Sequence, residues 1–249
     1  EVILMGFLTN FNARKAYMKH VQGNRAFEAG KTEEGREMHK QAMEGYEKAY
    51  KEGMNDPNYL MAYSVLLMRA GDFEKSREIM LKLDKMKLAA DQRKQLHINY
   101  SVLQWKMGNL DKAIEQMRVV AAGGKTAMVY TTLGQYLIDK AIQTGDFTEA
   151  IEFNNEAYEY DEEDAGTLDN LGQLKYAMGE REAAKDYFRR ALEQKPSQTV
   201  TLYNLARLLH EDGEDDEARK LIARAVDGNF SSLCPVSREE VQALQKEIG

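Results

Sequence analysis

Residues 165–198, AGTLDNLGQLKYAMGEREAAKDYFRRALEQKPSQ, decide the fold of this chain. Leu168 and Leu171 belong to one helical pattern of apolar residues, which ends at Gly179. A second pattern follows at spacings of four and three, with Ala184, Phe188 and Ala191. Apolar residues at these spacings line one face of a helix. The stretch therefore predicts two amphipathic helices joined by a short turn.

The glycine in this turn recurs along the chain at intervals of 41, 37, 37, 34 and 34 residues, as Gly30, Gly71, Gly108, Gly145, Gly179 and Gly213. A small residue follows each glycine five positions later: Gly35, Ser76, Ala113, Ala150, Ala184 and Ala218. A helix that reverses direction within a few residues usually ends in a left-handed conformation, which glycine adopts most easily. A small residue lets the second helix cross the first closely. The period predicts a stacked array of helix pairs.

One full unit resembles the tetratricopeptide repeat (TPR) signature through Leu171-Gly172, Gly179, Ala184, Phe188, Ala191 and Pro196. The unit from Thr199 to Ser232 matches it as well, and the four earlier copies match more loosely. The copy that contains Gly134 is four residues longer, which corresponds to about one extra helical turn. The resemblance extends over residues 16–232.

The resemblance implies an all-α, right-handed α-solenoid of about six TPR helix-turn-helix units within residues 14–232. The predicted units are 16–56, 57–93, 94–126, 127–164, 165–198 and 199–232. Residues 233–249 are predicted to form a C-terminal capping helix, because Ser237 and Glu240 make a capping box before an apolar face of Val241, Leu244 and Ile248. Such a helix would cover the last apolar surface of the array.

Residues 1–13 form an apolar N-terminal segment, which is followed by Arg14 and Lys15, and no acidic residue occurs from Val2 to Phe27. The run Val2–Leu8 is too short to span a bilayer, which takes about 20 residues. One interpretation is the remnant of a membrane anchor, which would tether the repeats to a membrane and favour the cytoplasm or the cytoplasmic face. The other is an extension that packs against the first repeat. The sequence does not choose between them.

Composition argues against several functional classes. The net charge is −7. Residues 1–90 contain 15 basic and 13 acidic side chains, and residues 91–249 contain 19 basic and 28 acidic ones. This acidic balance argues against a nucleic-acid partner, because phosphate contacts need clustered lysines and arginines. The four histidines have no metal-ligand spacing, and the single cysteine, Cys234, excludes an intramolecular disulfide. No pattern predicts a metal, a cofactor or a catalytic group, so the protein is predicted not to be an enzyme.

The TPR resemblance places a partner in a concave groove lined by the first helix of each repeat. Carried onto this chain, the groove positions include Met61, Val65, Met68, Ile98, Val102, Trp105, Thr131, Gln135, Tyr176 and Tyr203. Methionines beside a tryptophan suit an adaptable apolar binding surface. The alternative is that these residues pack between neighbouring helices and belong to the core.

A TPR clamp for a carboxylate terminus is not predicted. The matching positions hold His20, Asn24, Ala62, Gln95 and Asn99. The two cationic residues that such a clamp carries in the first helix of the third repeat are therefore missing.

The preferred function is a protein–protein interaction scaffold or adaptor that binds a peptide or helix of a partner in the groove. Two alternatives stay open: an assembly component that self-associates, and a chaperone for secreted or membrane clients. The oligomeric state is not predicted.

Overall fold

The computed structural model describes residues 2–228, 230 and 234–249, without the side chains of residues 2–10. These residues form thirteen α-helices in chain order: α1 (Val2–Glu28), α2 (Thr32–Lys51), α3 (Pro57–Arg69), α4 (Phe73–Asp84), α5 (Ala90–Lys106), α6 (Leu110–Ala122), α7 (Ala127–Thr144), α8 (Thr148–Tyr160), α9 (Ala165–Ala177), α10 (Arg181–Gln194), α11 (Thr199–Glu211), α12 (Asp215–Val226) and α13 (Arg238–Ile248). The predicted all-α solenoid of helix pairs is confirmed.

The chain divides into two compact units, an N-terminal unit of residues 1–103 and a C-terminal unit of residues 104–249. In the N-terminal unit α1 packs against α2, and α3 packs against α4. In the C-terminal unit the pairs α7/α8, α9/α10 and α11/α12 follow one another. Helix α5 begins at Ala90, so the predicted boundary between residues 93 and 94 falls inside a helix.

The helix pairs reverse at glycines in the left-handed conformation. All six repeated glycines have positive φ, between 74° at Gly30 and 84° at Gly71. At Gly179 (φ 80°) the backbone N–H donates to the carbonyl of Tyr176, and that of Glu180 donates to Lys175. These bonds satisfy carbonyls that would otherwise lack a partner at the end of α9.

The small residue after each turn is buried against the preceding helix. Ser76, Ala113 and Ala184 have no exposed surface. The first helix also has a small residue at the crossing. In α9 this residue is Gly172, and a Cβ added to it would lie 2.5 Å from the Phe188 ring. The two helices therefore approach closely only because neither carries a large side chain there.

Helices α7 and α1 are two of the longer helices. Helix α7 has 18 residues, which includes the extra turn predicted for the unit that contains Gly134. Helix α1 has 27 residues and runs through residue 13 without interruption, so residues 2–13 belong to the same helix as the start of the first repeat. The side chains of the apolar run Val2–Leu8 are outside the described set.

The C-terminal helix α13 closes the C-terminal unit. Its capping box is complete, with the Ser237 hydroxyl accepting from the Glu240 backbone and the Glu240 carboxylate accepting from the Ser237 backbone. Val241, Leu244 and Ile248 share one apolar cluster with residues of α11 and α12. The predicted capping helix is thus confirmed. Residues 231–233, where the last predicted boundary falls, lie outside the described residues.

The interior of the N-terminal unit contains a polar cluster. His20 of α1 is 6% exposed, and its Nδ1 lies 3.4 Å from the Tyr46 hydroxyl of α2. The His39 ring lies edge-on to His20, with the centroids 5.2 Å apart. Burial, together with the nearby His39 and Arg69, lowers the pKa of His20 to about 4. His20 is therefore a neutral core side chain.

We expect Gly179→Ala to lower the free energy of unfolding by about 1–2 kcal/mol, because alanine pays a steric cost in the left-handed conformation. Circular dichroism during urea unfolding measures the change. Gly123→Ala is the control: Gly123 has φ −85° and an added Cβ meets only the Val120 carbonyl, at 3.4 Å. Equal effects of the two substitutions would contradict the role assigned to the turn.

We expect stability to fall as the pH falls from 6.5 to 5, with His20 contributing about 2 kcal/mol of that loss. The ordinary histidine pKa of 6.5 exceeds the folded value, so the unfolded chain binds a proton that the folded chain excludes. His20→Gln removes this contribution. The difference in unfolding free energy between the wild type and the variant should therefore shrink toward acid. A difference that stays constant over this pH range would contradict the assignment.

Candidate functional site

The predicted groove residues of the N-terminal unit are Met61, Val65 and Met68 on α3, and Ile98 and Val102 on α5. Four of them are half-buried. Met68 is the exception, because it is 2% exposed and lies in the core. It therefore offers no surface to a partner in this conformation, and burial explains why an apolar residue stands at that position.

The predicted groove residues of the C-terminal unit are all half-buried and lie on first helices. Trp105 is near the end of α5, Thr131 and Gln135 are on α7, Tyr176 is on α9 and Tyr203 is on α11. The Thr131 hydroxyl donates to carbonyls of its own helix, those of Ala127 and Met128. Trp105, Gln135 and Tyr176 make contacts between repeats, and Tyr203 contacts Arg207 of its own helix, as described next.

Trp105 is anchored through its indole N–H. Nε1 donates to Asp139 Oδ2 on α7 at 2.8 Å, and the ring centroid lies 5.6 Å from that of Tyr136. The second oxygen of Asp139 accepts from Gln135 Nε2 at 2.9 Å. The Lys106 ammonium lies 4.8 Å from the Trp105 ring centroid. Trp105 is thus held in one orientation and still presents part of its surface.

The hydrogen bonds continue from α7 to α9 and α11. Gln135 and Gln173 exchange two bonds, at 2.9 and 3.3 Å. Gln173 Nε2 also donates to Asp169 Oδ2 at 2.6 Å, and the Thr201 hydroxyl donates to Asp169 Oδ1 at 2.6 Å. We call the set Trp105, Asp139, Gln135, Gln173, Asp169 and Thr201 the amide–carboxylate ladder.

The remaining hydrogen-bonding capacity of the amide–carboxylate ladder is that of an acceptor. An amide nitrogen has two hydrogens to donate, and both glutamines use two donor contacts within the ladder. Each glutamine oxygen and each Asp139 oxygen accepts a single bond there and can accept another. A group that binds on the ladder must therefore donate hydrogen bonds.

Burial raises the pKa of both ladder carboxyls. For Asp139 the bonds from Trp105 and Gln135 oppose the effect, and for the fully buried Asp169 those from Thr201, Gln173 and Asn204 oppose it. A folded-state pKa above the ordinary value means that the carboxylate costs stability at neutral pH. This cost is relieved as the pH falls through the folded pKa.

An aromatic and charged cluster lies beside the ladder on α9 and α11. The Arg207 guanidinium lies 4.8 Å from the Tyr176 ring and 5.6 Å from the Tyr203 ring. The Tyr176 hydroxyl donates to Glu211 at 2.8 Å. Arg181 pairs with Glu211 at 3.0 Å. Tyr176 and Tyr203 thus flank one cation, which fixes both rings.

Sequence reasoning identified Trp105 and Gln135 but missed Asp139, which holds both of them. Its only sequence signal is a carboxylate four residues after Gln135 on a helix, a spacing that places both side chains on one face. Asp139 is not among the groove positions that the TPR resemblance implies, so it was not predicted.

The positions compared with the carboxylate clamp have structural roles in the N-terminal unit. His20 is buried, and the Asn24 side-chain oxygen accepts from Arg69 at 2.9 Å and contacts His39 Nε2 at 3.0 Å. Within the described ranges no three His, Cys, Asp or Glu side chains are grouped to hold a metal ion. Nor does any helix of the described residues combine the length and apolarity needed to cross a bilayer.

A family model for the tetratricopeptide repeat matches residues 175–232, which include the end of α9 through α12. The helix pairs, the left-handed glycines and the small crossing residues agree with this match. Residues 175–232 are tetratricopeptide repeats. No curated protein sequence matches this chain.

Solved structures share the fold at low sequence identity. The C-terminal part of a TPR repeat-containing protein from Cytophaga hutchinsonii is 19% identical, with a TM-score of 0.57, 86% of this chain covered and 78% of that chain. A TPR protein from Parabacteroides merdae is 12% identical, with a TM-score of 0.57 and coverage of 94% and 99%. A chain of the APC/C hetero-tetramer Cut9–Hcn1 is 13% identical, with a TM-score of 0.62; the match covers 99% of this chain and 45% of that one.

Trp105 is the only tryptophan of the chain, so its fluorescence should report the ionisation of Asp139. We expect a fluorescence transition with an apparent midpoint above the ordinary aspartate value of 3.8, because burial raises the pKa of Asp139. Asp139→Asn should abolish the transition. Asp111→Asn, which removes an exposed carboxylate paired with Lys140, should leave it unchanged. A transition that survives Asp139→Asn would refute the assignment.

Proposed function

We propose that this TPR protein is a non-enzymatic scaffold that binds an extended peptide segment of a partner along the first helices of its C-terminal unit. The TPR fold is typical of protein–protein interaction scaffolds. The proposed binding of an extended segment rests on the amide–carboxylate ladder, whose remaining hydrogen-bonding capacity is that of an acceptor. An extended peptide has unpaired main-chain N–H groups, which are the donors that the ladder requires.

Tyr176, Tyr203 and Trp105 supply the apolar part of the proposed surface. All three are half-buried and fixed by hydrogen bonds or by the Arg207 cation. Rigid aromatic rings bind with a small entropic cost and are common at binding hot spots. The acceptor oxygens of the half-buried Asp139 favour a segment that carries a lysine or arginine.

The acidic balance of the C-terminal half supports the same choice. Residues 91–249 carry nine more acidic than basic side chains. Such a field attracts a basic segment and increases its rate of association at low salt. The proposed partner is therefore a protein with an extended, donor-rich and basic segment.

We expect the double variant Gln135→Ala/Gln173→Ala to weaken partner binding at least about tenfold, because it removes the acceptors at the centre of the ladder. The full chain serves as bait in native extract, and the captured segment is then synthesised for calorimetry. The control is Asn155→Ala/Gln194→Ala, which removes two exposed amides from the second helices α8 and α10.

Equal affinity for both double variants would refute binding on the ladder. If the purified chain alone instead forms a large assembly that sediments unchanged in the ladder variant, the assembly-component alternative would be favoured. Captured segments that are acidic and lack exposed donors would also contradict the proposal.

A further inference from the structure

A cavity of about 320 Å³ opens in the N-terminal unit among α1, α2 and α3. Its wall is mainly apolar and includes Phe27, Met43 and Leu66. Its polar lining contains the cations Arg36, Lys40 and Arg69, the imidazole of His39 and one acid, Glu44. None of these residues belongs to the predicted groove, and all lie within residues 1–103.

Arg69 is the unusual member of this lining. It ends α3 and is half-buried, and burial alone accounts for the lowered pKa of its guanidinium. Its one hydrogen bond among the described residues joins Nη1 to the neutral side-chain oxygen of Asn24, at 2.9 Å. No carboxylate of the described chain lies within 4.0 Å of it, although many arginines of this protein are paired in that way.

A buried guanidinium without a counter-ion is costly, because it loses hydration and gains no ion pair. Asn24 cannot compensate, since its oxygen is shared with His39 Nε2 at 3.0 Å. Of the five N–H donors of a guanidinium, four remain for another acceptor. Arg69 therefore has both the charge and the free donors for a carboxylate, which arginine binds through two parallel bonds.

The other charges around the cavity favour the same ligand. Arg36 already pairs with Glu33 outside the cavity, whereas Lys40 adds a further cation at its edge. The only lining acid, Glu44, is exposed. The apolar wall requires a hydrocarbon group next to the ligand's carboxylate, and the volume is at the lower end of the range for ligand sites. One inserted side chain suits it better than a whole helix.

We propose that this cavity binds a segment of a partner protein in which an apolar side chain adjoins an aspartate or glutamate. The apolar side chain enters between Phe27, Met43 and Leu66, and the adjacent carboxylate pairs with Arg69. This site is independent of the amide–carboxylate ladder, which favours donors and positive charge. The protein would then bind segments of opposite charge at two sites.

The test uses the full chain labelled with ¹³C at its methionine methyl groups, with the Met43 signal assigned from a Met43→Leu variant. The probe is a capped hexapeptide, Gly-Ser-Leu-Glu-Ser-Gly, and the matched probe replaces its glutamate with glutamine. We expect the glutamate peptide to shift the Met43 signal in a saturable way. Its Kd should be at least about tenfold lower than that of the glutamine peptide.

Arg69→Gln should remove the preference for the glutamate peptide, because glutamine can still donate to Asn24 but carries no charge. Lys15→Gln is the control, since Lys15 lines a different cavity of the same unit. The Gln135→Ala/Gln173→Ala variant should bind the glutamate peptide normally, which separates this site from the proposed function.

Equal affinity for the two peptides on the wild-type protein would overturn the proposal, and that comparison holds even if Arg69→Gln does not fold. An unshifted Met43 signal would overturn it as well. Self-association that Arg69→Gln abolishes, without peptide binding, would assign the cavity to a second copy of this chain instead.

Discussion

The close crossing of the two helices within each repeat is the constraint on which the rest of this structure depends. In α9 and α10 there is no room for a Cβ on Gly172 beside the Phe188 ring, and Ala184 is fully buried. In α7 and α8 the same approach places Gly134 against Asn154, whose amide donates to the Ala150 carbonyl. Because each pair is held this tightly, each first helix has a defined orientation. Side chains from successive first helices can then meet.

The amide–carboxylate ladder is a consequence of that regularity. Its contacts join residues that are 38 positions apart at Gln135 and Gln173, 32 apart at Asp169 and Thr201, and 34 apart at Trp105 and Asp139. These separations are about one repeat. A polar residue on one first helix can therefore form a hydrogen bond with a residue on the next first helix. Its remaining capacity to accept hydrogen bonds is then available to a bound segment. The same stacking buries Asp169, which raises its pKa.

The N-terminal unit uses the same helix-pair plan for a different local chemistry. Its long helices α1 and α2 enclose His20 and His39, and α3 ends in Arg69, which has no acidic partner among the described residues. The C-terminal unit pairs its buried charge instead: the Lys185 ammonium lies 2.6 Å from Glu214 and 2.7 Å from Asp212. Lys185 accordingly needs no external ligand, whereas Arg69 offers a charge to one.

The sequence by itself determined the helix pairs, the left-handed turns and the capping helix, because a 3.6-residue apolar period, a glycine and a capping box act through neighbouring residues. It also located Trp105 and Gln135 on first helices. Only the tertiary structure decided that Met68 is core, that Asp139 holds Trp105, and that Arg69 lines a cavity without an acid beside it. Each of these facts depends on which side chains of other helices come within a few ångströms. A spacing along the chain does not specify that distance.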